Sequence, residues 1–276
     1  MFPDKPKTKR RLAYAALIAV AIAALLWHAS RRGATGPAEG TELAGQIERP
    51  TTDRATLRVA TFNIHSGKGS DGRRDLDRVA GCLQDLDLVG LCEVRGEALW
   101  QPDDQAAQLG RTLGMAWLFA PASLESHHHQ FGNGLLSRLP ATFWQRIPLA
   151  RRFHHSHRNM VLVGVEHRGR TVHVLLTHVT RGDDRDRSAQ LRAAIALFTA
   201  LAEPAILLGD LNTTADDPQI RGLLARPGVV DPVGEVLGPK TPERIDWILV
   251  RGLRTVDAGI VDNGASDHPM VWAELE

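Results

Sequence analysis

Apolar and polar positions along this chain fall into short stretches of two periods. Residues 57–64 (LRVATFNI) form a brief apolar run of β-type composition. Leu76, Val79, Ala80 and Leu83 then recur at helical spacing, and residues 105–113 read the same way. Residues 87–93 (DLVGLCE) read as a strand that ends on a carboxylate, and residues 117–120, 134–137 and 142–147 as successive strands. Residues 160–166 and 171–178 flank His167-Arg168-Gly169-Arg170 as a hairpin. Residues 186–203 are the longest helix of the body, with a broad stripe at Leu191, Ala194, Ile195, Leu197, Phe198 and Leu201, and Pro204 ends it. Residues 205–208, 247–250 and 270–272 complete the strands. Many strands with few helices predict two packed sheets with helices outside, a single α+β layered domain.

One run follows neither period. Residues 12–29, LAYAALIAVAIAALLWHA, carry no formal charge. As a helix rising 1.5 Å per residue, eighteen residues span about 27 Å, enough for a hydrocarbon core. Basic residues dominate the segment before the run, and Trp27 stands where an interfacial anchor would. The pattern predicts a transmembrane signal-anchor helix over residues 12–30 behind a cytoplasmic basic segment at 1–11. The chain would then be single-pass in an inner (plasma) membrane with its body periplasmic or extracellular. A cleaved signal peptide is the competing reading, but it places Trp27 or His28 where a small residue is wanted. Residues 31–56, rich in Gly, Ala, Thr and Pro, read as a flexible linker to a body at 57–276.

Composition narrows the class without deciding it. Of 276 residues, 43% are hydrophobic and 24% charged, which excludes collagen-like and disordered chains. Two cysteines, Cys82 and Cys92, cannot build a disulfide framework or a zinc ribbon. The net charge of +1 hides an asymmetry, because 26 of the 33 basic residues but 31 of the 32 acidic ones lie beyond residue 32. The body is therefore mildly acidic, at −5, which argues against broad charge-driven binding of nucleic acid.

The chemistry stands at the strand ends. Asn63, Glu93, the Asp210-Leu211-Asn212 run and Ser266-Asp267-His268 each follow or close an apolar run, where a rigid sheet presents side chains to a cleft. Any one of them alone is commonly a turn or capping residue. Together, carboxylates with Asn amides and no thiolate pair suit Mg²⁺ or Mn²⁺, and a neighbouring Asp–His pair suits activation of water. His65, directly after the first strand, is placed at the cleft. Arg158 opens the strand before the hairpin, where it either binds phosphate or stays solvated. His127-His128-His129 and His154-His155-Ser156-His157 read as polar loops, since no metal-ligand spacing accompanies them.

The runs TFNIHSG, LCEV, GNGLLS, LLTH, GDLN, RIDWIL and SDHPMV stand in this order along residues 57–276. In that order they resemble the endonuclease/exonuclease/phosphatase superfamily of deoxyribonuclease-I-like, metal-dependent phosphoesterases. The resemblance implies a four-layer α/β sandwich of two mixed β-sheets flanked by helices. It implies Glu93 as the main Mg²⁺ (or Mn²⁺) ligand, with Asn63 beside it and Asp267 assisting. Asp210 and Asn212 would hold the scissile phosphate and orient water. His268 would be the base, buttressed by Asp246, and His178 would touch a phosphate oxygen. Asn133 would shape the substrate cleft, with Arg158 and His65 as further substrate contacts. Cys92 departs from the family, which often has Gln there. The implied reaction is hydrolysis of a phosphodiester by in-line attack of water. The anchor and the acidic body direct the expected substrate to a lipid headgroup or another envelope-linked phosphodiester. A secreted or surface nuclease is the alternative, and a catalytically silent membrane-anchored binding module a third. The partners expected are the phosphoester and, through the N-terminal helix, a membrane; no obligate protein partner is evident.

Overall fold

The computed structural model describes residues 5–29, 32–34, 36–46, 54–97, 102–124, 130–151, 157–182 and 184–276. A helix, α1 (Lys5–Ala29), comes first, followed by two short strands, β1 (Arg32–Gly33) and β2 (Glu39–Gly40). Next come β3 (Leu57–Asn63), α2 (Leu76–Leu83), β4 (Leu88–Arg95), α3 (Gln105–Leu113), β5 (Ala116–Leu124) and β6 (Gln130–Ser137). The second half runs β7 (Ala141–Pro148), β8 (Asn159–His167), β9 (Arg170–His178), α4 (Asp184–Ala200), β10 (Ala205–Asp210), α5 (Pro218–Leu224) and β11 (Val229–Val230). It closes with α6 (Pro232–Leu237), β12 (Asp246–Arg251), β13 (Thr255–Val261) and β14 (Met270–Leu275).

The strands form two mixed seven-stranded sheets. One is ordered β1-β5-β6-β4-β3-β14-β13 and the other β11-β12-β10-β9-β8-β7-β2. Alternation along each strand splits its side chains between two layers. In β3, Leu57 and Val59 face the second sheet and meet a core that includes Val163, Leu176, Leu208 and Ile248. Ala60 and Phe62 face the other way, onto Val79 and Leu83 of α2 and Leu109 of α3. In β10, Ile206 and Leu208 join the central core while Leu207 packs outward with Leu191 and Phe198 of α4 and Ile220 of α5. The layers are therefore helices, sheet, sheet, helices. Local chemistry sets the helix starts: Asp75 accepts from the Arg78 N–H at 3.1 Å, Asp104 from Ala107 at 2.8 Å and Asp217 from Gln219 at 2.7 Å.

The transmembrane anchor is corrected. Residues 5–29 are helical, but among the described residues no helix is long and apolar enough to cross a membrane. The helix starts at Lys5 and includes Lys7, Lys9, Arg10 and Arg11. The single-pass inner-membrane location, the membrane as partner and the lipid or envelope-linked substrate argued from them lose their basis with it.

In the segment read as a linker, β1 pairs with β5, β2 with β7, and Ala44 bridges to Trp117. Leu43 is buried in the central core, and Gln46 exchanges hydrogen bonds with the Ala141 backbone. The described part of that segment thus lies along the edges of both sheets.

Candidate active site

Strand register brings the polar ends together. In the second sheet β10 lies between β9, parallel to it, and β12, antiparallel, so Asp210 sits level with His178 on one side and Asp246 on the other. In the first sheet Asn63 is level with Cys92, one residue before Glu93. β14 runs antiparallel to β3, so the Ser266–His268 turn that precedes it arrives at the same rim. Gly209 makes the Asp210 placement possible. Its φ is +138°, and a Cβ there would stand 1.8 Å from the Thr177 carbonyl oxygen, so only glycine fits. Glu93 (φ 61°) and Asn212 (φ 48°) hold left-handed backbone, uncommon for residues other than glycine, with Glu93 at a register shift in β4.

The two sheets meet through side chains at this rim. The Asn63 amide donates to Asp210 Oδ2 at 3.0 Å and to Glu93 Oε1 at 3.2 Å. The backbone N–H of Asn212 donates to Asp210 Oδ1 at 2.9 Å, while the Asn212 amide donates to the Val179 carbonyl at 2.8 Å. His268 Nδ1 lies 2.7 Å from Asp246 Oδ2. His178 is buried, its Nε2 3.3 Å from Asp210 Oδ2 and its Nδ1 3.4 Å from Arg158 Nη1, so both ring nitrogens have protein neighbours. His65 Nδ1 approaches Asp267 Oδ1 at 3.2 Å but without hydrogen-bond geometry.

The electrostatics follow from this crowding. Burial raises the Asp210 carboxyl to about 7, with the charge of Asp246 adding to it against His268, the Asn212 N–H and the Asn63 amide. Burial also raises Asp246, although the hydrogen bond and charge of His268 oppose it. Burial by itself lowers the His268 imidazole, but the Asp246 hydrogen bond and the charges of Asp246, Asp210 and Asp267 outweigh it and raise the group to about 9. His178 moves well below its usual value, through burial first and then Arg158 and His268. It is therefore a neutral ring, and His268 the cationic one.

Asp210, Asp246 and His268 bring one ligand atom each within 4.8 Å of one another, the one such group found among the described residues. Asp246 Oδ1 is buried without a hydrogen-bond partner. Two crowded carboxylates with raised pKa, one orphaned oxygen and no sulfur donor fit a hard divalent cation. Asn63 and Glu93 extend this group through Asp210. Asp267, the residue before His268, is outside this group and lies beside His65.

Asn133 lies on β6, next to β4, the strand that carries Glu93. It is buried, and its amide donates to Asn159 Oδ1 at 2.9 Å and to the Asn159 carbonyl at 3.2 Å. The Asn159 amide in turn donates to the carbonyls of Ala120 and Pro121, and Thr177 donates to the Asn159 carbonyl. Two contributors escaped the sequence. Asn159, next to Arg158, ties β5 and β6 to β8 and β9. Ser266 donates its hydroxyl to the Asn63 carbonyl at 2.6 Å, joining the His268 turn to β3. Ser266 lies inside the SDHPMV run and was open to notice, whereas nothing local marks Asn159. His127-His128-His129 and His154-His155 lie outside the described residues.

The model of the Endonuclease/Exonuclease/phosphatase family matches residues 60–268. No curated protein sequence matches the chain. Solved structures share its fold at low identity. An endonuclease/exonuclease/phosphatase family protein from Leptotrichia buccalis is 16% identical, covering 80% of this chain and 99% of its own, with a TM-score of 0.64. The mannosyl-6-phosphatase of Bacteroides thetaiotaomicron is also 16% identical, covering 80% and 99%, at 0.60. D. rerio TDP2 complexed with a single strand DNA product is 18% identical, covering 81% and 100%, at 0.60.

Proposed function

The chain belongs to the endonuclease/exonuclease/phosphatase family and is a metal-dependent hydrolase of phosphoric esters, and on that premise we propose that it cleaves a phosphodiester of nucleic acid with Mg²⁺. The observation that carries the reading is the His268–Asp246 pair set against Asp210 across the seam of the two sheets. Asp210, Asp246 and Glu93, with Asn63 beside them, would hold the cation. Mg²⁺, when bound, supplies positive charge against the phosphoryl and leaving oxygens.

The remaining roles belong to the chain. His268 is protonated without a cation beside it; the positive charge of a bound Mg²⁺ would push the ring back toward its neutral form, in which, held at Nδ1 by Asp246, it would take the proton of the attacking water through Nε2. The Asn212 amide nitrogen is spent on the Val179 carbonyl, which leaves its Oδ1 to accept a hydrogen bond from that water. Neutral His178 holds Asp210 in place, and Arg158 brings a guanidinium to the rim where negative charge develops. The nucleic-acid part of the reading draws on the TDP2 fold relative, whose structure holds a single strand DNA product.

The test is cleavage of a linear duplex and of a single-stranded oligonucleotide, both with free hydroxyl ends, by the full chain with Mg²⁺, beside His268→Ala. Cleavage that needs Mg²⁺ and is lost in the variant is the expected result. Release of phosphate from monoesters with both nucleic acids left intact would overturn the substrate.

A further inference from the structure

Beside His268 lies a cavity of about 540 Å³ that none of the steps above uses. It falls within the roughly 300–1,000 Å³ of small-molecule sites. One wall comes from the segment leading into β12, another from the end of β13, and His268 and Asp246 close the side toward the seam. Pro242, Ile245 and Ile260 make it partly apolar.

Its charge is one-sided. Glu243, Asp262 and Asp267 line it, and all three are exposed. Asp267 leans to His65, which leaves Glu243 and Asp262 facing the space without a cation. Two basic residues line it: His268, on the seam side beside the candidate cation site, and Arg244, which is committed elsewhere, being buried, paired with Asp231 and 4.2 Å from the Trp247 ring centroid. On the side away from His268, a bound group meets the carboxylate oxygens of Glu243 and Asp262 as acceptors, while the cationic ring stays at the seam.

We infer that this cavity receives one ester group of the substrate and selects it by charge, through Glu243 and Asp262: the group is uncharged or cationic and rich in hydrogen-bond donors, and a group bearing a further phosphate is excluded. The inference rests on the phosphodiesterase part of the proposal above, not on its nucleic-acid part. For a polynucleotide it means that the strand end carrying a free hydroxyl enters the cavity, since an internal nucleotide would bring its next phosphate against two carboxylates.

The experiment uses the full chain with Mg²⁺ and three p-nitrophenyl phosphodiesters that share the bond to be broken. Their second ester group is choline, thymidine through its 5′ oxygen, or the same thymidine carrying a 3′-phosphate. The expected kcat/KM for the 3′-phosphorylated ester is at least tenfold below that of the thymidine ester. The deficit shrinks at high salt, and in the Glu243→Gln, Asp262→Asn double variant it narrows to within about threefold. Both residues are exposed, and a thermal melt checks that the variant is folded. A wild-type protein that hydrolyses the two thymidine esters equally overturns the inference, as does a deficit that survives in the folded double variant. Preference for choline over thymidine, or the reverse, identifies the source of the group and supports charge selection either way. Intact linear duplex and oligonucleotide alongside the expected deficit would remove the nuclease reading and leave the cavity's role standing. Failure to hydrolyse any diester would remove both.

Discussion

Asp246→Asn keeps the size of a buried side chain and removes the charge that governs His268. The imidazole is raised from 6.5 to about 9, chiefly by its hydrogen bond to Asp246 and by that carboxylate's charge, against the opposing effect of burial. At about 1.4 kcal/mol per pKa unit the full shift is worth ~3 kcal/mol, and screening at this partly open ring reduces that to about 1–2 kcal/mol. Asp210 and Asp267 still raise the group in the variant, so the expected fall is about one unit or more. The assay is an NMR titration of the His268 ring proton in EDTA for both proteins. The sign carries a second check. A pKa raised in the folded state gives stability that is fully present below about pH 6.5 and is lost as pH rises through about 9. The urea stability gap between wild type and variant therefore narrows across that window. Turnover at neutral pH should fall about 10²- to 10⁴-fold, because the ring loses the partner that sets its tautomer. An unchanged His268 titration, or a stability gap that widens with pH, would refute the pairing as the cause.

Other outcomes follow from the same rim. Gly209→Ala forces a Cβ into the Thr177 carbonyl and should cost more than about 3 kcal/mol in urea unfolding; an unchanged midpoint would contradict the φ of +138°. Mg²⁺ at 100 times its Kd should raise stability by about 2.7 kcal/mol over EDTA, and Asp210→Asn should reduce that gain, both read by thermal melts. Asn133→Ala strips the buried Asn159 side chain of its donor and should cost about 1–3 kcal/mol. Glu93→Ala should abolish Mg²⁺-dependent turnover while leaving the circular dichroism spectrum intact.

How much of this could be read in advance depends on how local each feature is. Helices α2 and α3 have the predicted bounds because Asp75 and Asp104 cap them and their apolar spacing stops where they do. β13 was missed: it is an edge strand with mostly exposed positions, so the sequence TVDAGIV shows no clean alternation. β1, β2 and β11 are two residues long and carry no period at all. α4 ends at Ala200, short of the Pro204 that was taken as its stop. The residue types of the rim were legible because they interrupt apolar runs. Their grouping was not. Asp210 and Asp246 meet through the β10–β12 register, His268 reaches them only because two sheets stack, and Asn133 meets Asn159 for the same reason. The N-terminal helix shows the opposite failure: its charge-free length reads as a membrane span, whereas among the described residues no helix is long and apolar enough to cross a membrane.

The seam itself has a consequence for how the protein fails. Asn63 and Glu93 ride on one sheet, Asp210 and Asp246 on the other, and at the rim the Asn63–Asp210 and His268–Asp246 contacts span the gap between them. The rim thus works as a gauge of alignment for the whole sandwich. A misplacement of about 1 Å between reacting groups can cost about 100-fold in rate. Trimming Val163 or Ile248, deep in the central core, lets the sheets settle by a fraction of that. Such variants would stay folded and keep every polar residue of the rim, yet turn over slowly, so damage in the interior would register as lost chemistry well before it registered as lost structure.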